Sequence, residues 1–164
     1  MNKRKRQIIH AARSLFIEKG FSNTAVTDII AAANISKGTF YNHFTSKNEC
    51  LIAILEEARE ESINRRYELV RNKDPKDISV LAEQLSLIIS VNHKQNLTQI
   101  FESISGATDQ DIKEVLHRHM ILELQWISRR LVDIYGEEIV DISFECAVQA
   151  VGMLQQSLRL LMIA

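Results

Sequence analysis

The sequence predicts an all-α protein, and three observations support that prediction. The 164 residues include one proline and five glycines, so few positions would interrupt a helix. Apolar residues recur at spacings of three and four, and no stretch shows the alternation of a strand between glycine-rich turns. A chain of this length with 46% hydrophobic residues can bury a substantial core. We therefore predict a small helical head over residues 1–47 and a larger helical body over residues 48–164.

The composition also bears on where the protein works. No run approaches the roughly 18 apolar residues of a membrane span, and the charged N-terminus is not followed by the apolar core of a secretory signal. We therefore expect a cytoplasmic protein that does not contact a membrane. Cys50 and Cys146 match no disulfide or metal spacing, so we expect reduced, partly buried thiols.

The first two helices of the head are set by their end signals. We predict helix one from about Lys5 to Lys19, with Gly20 as a left-handed cap. Helix two should follow Thr24, a plausible cap, and Asp28 lies in its first turn, where the helix dipole favours an anion.

Helices two and three carry the strongest functional signal in the chain. Asn34 tolerates the left-handed backbone that a tight turn requires, and Ser36 can cap helix three. Phe40 and Phe44 are four residues apart and would point inward. The side chains left outside can contact base edges or phosphates: Lys37, Thr39, Tyr41 and Asn42. Gly38 removes a side chain where a helix would approach a duplex, so the pattern predicts a helix-turn-helix with a reading helix. A buried Phe pair with polar outer residues is also what any small helical domain needs.

The charge distribution supports a nucleic-acid partner. Residues 1–49 hold eight basic and three acidic side chains, a net charge of +5, whereas residues 50–164 hold twelve and eighteen, a net charge of −6. A basic head favours phosphate. Lys3 to Arg6 can be read as a frayed terminus or as an arm that reaches a groove or phosphates.

The body is predicted to contain five helices. The fourth helix begins after a Thr45 or Ser46 cap, offers Lys47 to a phosphate from its first turn, and ends near Arg71. The others are expected at about 77–92, 96–105, 109–135 and from 138 to the end, with Gly106, Thr108 and Gly136 as breaks. The helix from Asp109 is apolar on much of its circumference, which predicts a partner chain.

The head resembles the tetracycline-repressor (TetR) family of bacterial transcriptional regulators. The resemblance rests on a specific set of residues: Gly20-Phe21, Thr24, Val26, Ile29, Ala32-Ala33, Ile35 to Thr39, Tyr41, His43-Phe44, Ser46-Lys47 and Leu51. It implies a body that binds a ligand and dimerises, a fourth helix that transmits the switch, and a repressor released from its DNA operator by a small-molecule effector. It further implies DNA contacts from Lys37, Thr39, Tyr41, Asn42, His43 and Lys47, with Thr24 near a phosphate. Ser36 and Gly38 complete the expected DNA-binding set.

The chain departs from the family pattern at three points. Ala25 stands where a small hydroxyl residue is common, and alanine has no hydroxyl for a cap or phosphate contact. Asn34 replaces the usual turn glycine, which should preserve the geometry at little strain. The family usually continues with a further helix that completes a four-helix dimer interface. We expect either that a C-terminal portion is absent or that the partner subunit covers the last apolar turn.

The sequence does not identify a ligand. The candidates for a pocket wall are large apolar residues that could equally be core: Phe101, Met120, Trp126, Tyr135, Phe144 and Met153. Glu123 or Arg130 could orient a polar group or lie on a solvated face. We expect no metal and no cofactor, because His117 and His119 point apart on a helix and His93 adds no ligand spacing. No catalytic constellation recurs, so we predict that the chain is not an enzyme. The alternative function is a DNA-binding adaptor or architectural protein without a small-molecule ligand.

Overall fold

The computed structural model describes residues 2–104 and 109–163, and within those ranges the chain is helical with no strand. The eight α-helices of the described residues are α1 Lys3–Lys19, α2 Val26–Ala32, α3 Lys37–Tyr41, α4 Lys47–Val70, α5 Ile78–Lys94, α6 Leu97–Ile104, α7 Gln110–Tyr135 and α8 Val140–Ile163. A single 3-10 turn over Glu137–Ile139 precedes α8. The predicted all-α class is confirmed.

The helix ends follow the sequence signals in most places. Gly20 and Gly136 take positive φ of 81° and 90°, and Asn34 takes φ 48°, so the three predicted breaks have the backbone that glycine and asparagine tolerate. Helix α1 begins at Lys3, and the Asn2 side chain accepts a hydrogen bond from the Arg4 amide at 3.0 Å. The helix therefore starts two residues before the predicted start near Lys5. Gly106 and Thr108 lie outside the described residues.

Two compact units divide the chain. The first comprises residues up to 66 together with residues 86–115. Its core is built from fully buried side chains of α1, α2, α3 and α4: Ile8, Ala12, Phe16, Ile29, Phe40, Leu51 and Ile54. Helix α1 packs against both α2 and α6. The predicted boundary between residues 47 and 48 stays a prediction, while the packing places α6 beside the head.

The second unit comprises residues 67–85 and the chain from 116 onward. Leu124, Ile127 and Ala147 form its buried cluster, against which Leu85 and Trp126 pack among others. Arg130 is only 7% exposed and reaches Gln84 Oε1 at 3.3 Å, Asp133 Oδ2 at 3.1 Å and the carbonyl of Pro75. The guanidinium ties α7 to α5 and to the loop before it, so the expectation that Arg130 lies on a solvated face is wrong.

Among the described residues, no helix is both long enough and apolar enough to cross a membrane.

Candidate nucleic-acid interface

The turn between α2 and α3 has the geometry that its residues predict. The Ala33 amide bonds the Ile29 carbonyl at 2.9 Å, and the left-handed Asn34 then reverses the chain. Ser36 caps α3, because its hydroxyl accepts the Thr39 amide at 3.1 Å. The Gln7 side chain donates to the Ala33 carbonyl at 2.7 Å, so α1 braces the end of α2. Local sequence and one contact from α1 therefore fix the orientation of α3.

The inner face of α3 is anchored by two aromatic rings. Phe40 is fully buried and Phe44 nearly so, and their centroids lie 6.1 Å apart. Lys5 of α1 places its ammonium 5.4 Å from the centroid of Phe44. The predicted inward pair is confirmed, and it holds the opposite face of α3 toward solvent.

That outer face presents most of the predicted reading residues. Ser36, Lys37, Gly38, Tyr41 and Asn42 are exposed, and Thr39 and His43 are half-buried. Tyr41 is 49% exposed, and its ring lies 6.0 Å from the Lys37 ammonium. The hydroxyls of Ser36 and Thr39 lie 2.9 Å apart. This short helix and its caps thus present a cation, hydroxyls, an amide and an aromatic edge on one face. Such groups can donate hydrogen bonds to a duplex and accept them from it.

Gly38 has no internal reason to be glycine. Its φ is not positive, and a Cβ built on it would meet only the Ser36 hydroxyl, at 3.9 Å. Glycine lowers helix stability relative to alanine, so the fold alone would favour alanine here. The described neighbours of Gly38 therefore leave room for a side chain that the sequence does not supply.

Thr24 departs from its predicted role. It is 1% exposed, and its hydroxyl donates to the Gly20 carbonyl at 2.8 Å. The cap position of α2 belongs to Ala25, whose amide donates to the Asp28 carboxylate at 3.0 Å, so the assignment of Thr24 as the cap is wrong. This hydrogen bond and Lys19, 3.1 Å away, hold the pKa of Asp28 below its usual value. A phosphate contact by the Thr24 hydroxyl would require it to leave a buried bond.

Lys47 is engaged with the protein itself. Its ammonium donates to the carbonyls of Phe21 at 2.7 Å, Ser22 at 3.2 Å and Thr24 at 2.8 Å. It also lies 4.6 Å from the centroid of the Phe21 ring, and burial lowers the pKa of this lysine. The first turn of α4 therefore holds the loop that leads into α2, and all three ammonium hydrogens have acceptors. The sequence pattern could not show this, because the acceptors are backbone atoms 23 to 26 residues away.

Of the two predicted cap residues, Thr45 and Ser46, it is Ser46 that caps the start of α4. The Ser46 hydroxyl accepts the Glu49 amide at 3.3 Å, and the Glu49 carboxylate accepts the Thr45 amide at 2.7 Å. Cys50 follows in the core, where burial raises the pKa of its thiol to about 12. Both cysteines are free, but Cys146 is exposed and not partly buried as expected.

Two residues that the sequence did not single out contact this region. Ser103 of α6 accepts the Phe21 amide at 3.3 Å, and Asp109 accepts the side-chain amide of Asn48. Neither could be found from periodicity, since both contacts join segments more than 60 residues apart.

The residues proposed for a ligand pocket differ in their exposure, and they lie on α6, α7 and α8. Met120 and Phe144 are exposed at 49% and 37%, and Tyr135 and Met153 are also exposed. Trp126 packs against the core cluster of the second unit, and Phe101 lies half-buried on α6. Their ligand contacts remain predictions. The side chain of His93 lies outside the described residues, and no group of metal-ligating side chains occurs among those described.

Comparison with known proteins gives one consistent family. Residues 8–54 match the model of the bacterial regulatory proteins of the tetR family. The chain is 26% identical to an uncharacterised HTH-type transcriptional regulator, YerO of Bacillus subtilis, over 98% of its own length and 57% of that protein. Over 43 residues it is 46% identical to the HTH-type transcriptional repressor DhaR of Mycobacterium, covering 26% of the chain and 22% of DhaR.

A solved structure supports the same fold. A TetR-family regulator from Syntrophomonas wolfei is 25% identical, with a TM-score of 0.69, over 93% of this chain and 86% of that one. Against its curated relatives, however, the chain spans little more than half the length of YerO. The likeness in fold therefore extends over most of the chain at low identity, and the family model matches the head and the start of α4.

Proposed function

We propose that this chain is a member of the tetracycline-repressor family of bacterial regulatory proteins and that it is a DNA-binding transcriptional repressor that a small molecule releases from its operator. The related proteins are named as regulators and not as enzymes. DhaR, which is 46% identical over 43 residues, is named a repressor.

The observation that carries the proposal is the exposed face of α3. A helix of five residues places a lysine, a tyrosine and a bare backbone at Gly38 outside, while Phe40 fixes it from within. Because the fold does not require glycine at that position, the close approach of another molecule explains it. The width of the major groove admits such a helix. Lys37, Thr39, Tyr41, Asn42 and His43 are the side chains we assign to the duplex.

A homodimer is the second element of the proposal. Helices α7 and α8 leave large apolar side chains exposed in the single chain, among them Leu122, Ile142, Phe144, Val148 and Met153. Isolated exposed apolar residues are ordinary, but a series on two long helices favours a covering partner. A two-fold dimer would place two copies of α3 in successive major grooves, about 34–36 Å apart. An effector would need only about 1–3 kcal/mol of difference between two states to release such a dimer.

The test is binding of the full chain to duplexes selected by it from a random-sequence library. We expect selective binding that weakens steeply between 50 and 200 mM salt, because phosphate contacts release counterions. Lys37→Ala should weaken binding and reduce the preference among sequences by about 1–3 kcal/mol at the base it reads. Lys76→Ala, in the exposed loop before α5, is the matched control and should change neither property. Failure of the wild-type chain to select any sequence would refute the proposal.

A further inference from the structure

Ser103 and Asp109 contact the head although they lie more than 60 residues away from it in the sequence. Ser103 is the next-to-last residue of α6, and Asp109 immediately precedes α7. Both belong to the same compact unit as α1, α2 and α3. The end of α6 and the start of α7 therefore each supply one side-chain contact to the head.

Ser103 acts as a bridge between α6 and the loop that follows α1. Its hydroxyl donates to the Ile100 carbonyl of its own helix at 2.8 Å and accepts the Phe21 amide at 3.3 Å. A Cβ built on Gly20 would lie only 3.6 Å from the Ser103 Cβ, so the two backbones are in close contact. The hydroxyl therefore satisfies a loop amide that no helix of the head reaches.

Asp109 makes the corresponding contact with α4. One carboxylate oxygen accepts the side-chain amide of Asn48, and the other accepts the Ile112 amide at 3.1 Å, which caps α7. Asn48 follows Lys47 directly, and Lys47 holds the carbonyls of Phe21 and Thr24. The loop between α1 and α2 is thus held by the first turn of α4 and by α6, and the first turn of α4 is itself held by Asp109.

We propose that Ser103 and Asp109 are positioning residues for DNA reading: they complete the helix-turn-helix by fixing the loop over residues 20–25 and the first turn of α4. The head of this chain is then not an autonomous reading unit. The loop enters α2, α2 turns at Asn34 into α3, and each step is a short hydrogen-bonded connection. If the loop loses its contact with α6 or with the first turn of α4, we expect α3 to take a wider range of orientations. This inference rests on the proposed DNA binding for its functional half only.

The experiment uses the full chain with Ser103→Ala, and Thr98→Ala as the matched control. Thr98 is exposed on the same helix, so its loss removes a hydroxyl of α6 without touching the loop. In the absence of DNA, we expect faster amide hydrogen exchange over residues 21–25 in Ser103→Ala and wild-type exchange in Thr98→Ala. One neutral hydrogen bond corresponds to about a 2- to 12-fold change in an equilibrium constant. We therefore expect Ser103→Ala to bind a library-selected duplex about 2- to 12-fold more weakly.

A second variant separates positioning from general loss of stability. Asp109→Ser keeps a side chain that caps α7 but is too short to reach Asn48. In both variants the ratio of affinities for the selected and a scrambled duplex should fall, because a misplaced α3 loses base contacts while phosphate attraction persists. A global loss of stability would lower both affinities equally and leave that ratio unchanged.

The outcomes distinguish this inference from the function on which it rests. A wild-type chain that selects no duplex refutes DNA reading and, with it, the functional half of the inference. A wild-type chain that binds selectively, with Ser103→Ala and Asp109→Ser equal to it in affinity and in ratio, overturns the inference alone. Unchanged exchange over residues 21–25 in Ser103→Ala overturns it as well, whatever the DNA result.

Discussion

Lys47→Met separates two roles that sequence and structure give to the same residue. The sequence pattern offers Lys47 to a phosphate, whereas in the structure its ammonium is bound to three backbone carbonyls. Methionine keeps an unbranched chain beside the Phe21 ring and removes the ammonium, with both its donors and its charge. The substitution therefore tests the hydrogen bonds without opening a large void.

The expected cost in stability follows from the surroundings of the three acceptors. The bonds to Phe21 and Thr24 are partly buried, and the bond to Ser22 is exposed. An exposed carbonyl recovers its partner from water, while each partly buried bond contributes about 1 kcal/mol net. We expect Lys47→Met to lower the free energy of unfolding by about 2 kcal/mol, measured by urea denaturation at fixed protein concentration. Lys37→Met, in which the lost ammonium lies 6.0 Å over Tyr41 and makes no such bonds, should cost less than about 0.5 kcal/mol.

The DNA assay then distinguishes a clamp from a phosphate contact. A lysine that neutralises a phosphate contributes about 0.9 to the slope of log K against log salt concentration. If Lys47 only holds the loop, the variant binds every duplex more weakly but keeps the wild-type slope between 50 and 200 mM salt. A slope that falls by about 0.9 in Lys47→Met would refute this reasoning. It would mean that the ammonium leaves its carbonyls for DNA.

Three further predictions follow from single residues. Gly38→Ala should leave the fold as stable or up to about 1 kcal/mol more stable in urea denaturation, because no internal atom opposes a Cβ. Overpacking against the duplex should cost the same variant about 1–3 kcal/mol of DNA affinity, and unchanged affinity would remove Gly38 from the interface. Asp28→Asn should destabilise the chain at pH 7, and this difference should shrink as the pH falls below about 4, because the lowered pKa of Asp28 contributes stability only while the carboxylate is charged; a difference independent of pH would contradict the assignment. Arg130→Met should lower the free energy of unfolding by about 2–4 kcal/mol, because it removes the hydrogen bonds that the guanidinium donates to Gln84 and to the Pro75 carbonyl, and a loss below about 1 kcal/mol would show that water replaces the guanidinium.

The sequence was sufficient wherever structure is decided by neighbours in the chain. Asn34 and Gly136 marked breaks because few residues adopt positive φ, and Ser36 marked a cap because its hydroxyl reaches its own helix. The pairing of Phe40 with Phe44 followed from a spacing of four. These local rules predicted the helices and the outward face of α3 to within a few residues.

The sequence was insufficient wherever a side chain has its partner in a distant segment. We predicted Thr24 as the cap of α2, but its hydroxyl donates to the Gly20 carbonyl in the core. Ala25 is the cap residue of α2 instead, and its amide donates to the Asp28 carboxylate. Arginine is usually exposed to solvent, but Arg130 is buried. Its guanidinium donates to the Gln84 side chain in α5 and to the Pro75 carbonyl in the preceding loop. The periodicity of apolar residues does not predict such contacts, because they depend on how the helices pack against one another.

Two features of the head are unfavourable for the local stability of its helices, and the proposed DNA partner would account for both. The first turn of α1 carries Lys3, Arg4, Lys5 and Arg6 and no acidic residue. Cations at a helix N-terminus oppose the helix dipole, each by about 0.3–1 kcal/mol when exposed. Gly38 likewise lowers the stability of α3 without serving any internal contact. Departures from local preference concentrate at functional sites, because there another requirement outweighs stability. Phosphate would compensate the cations and a close duplex would require the glycine, so the one partner proposed here would supply both requirements.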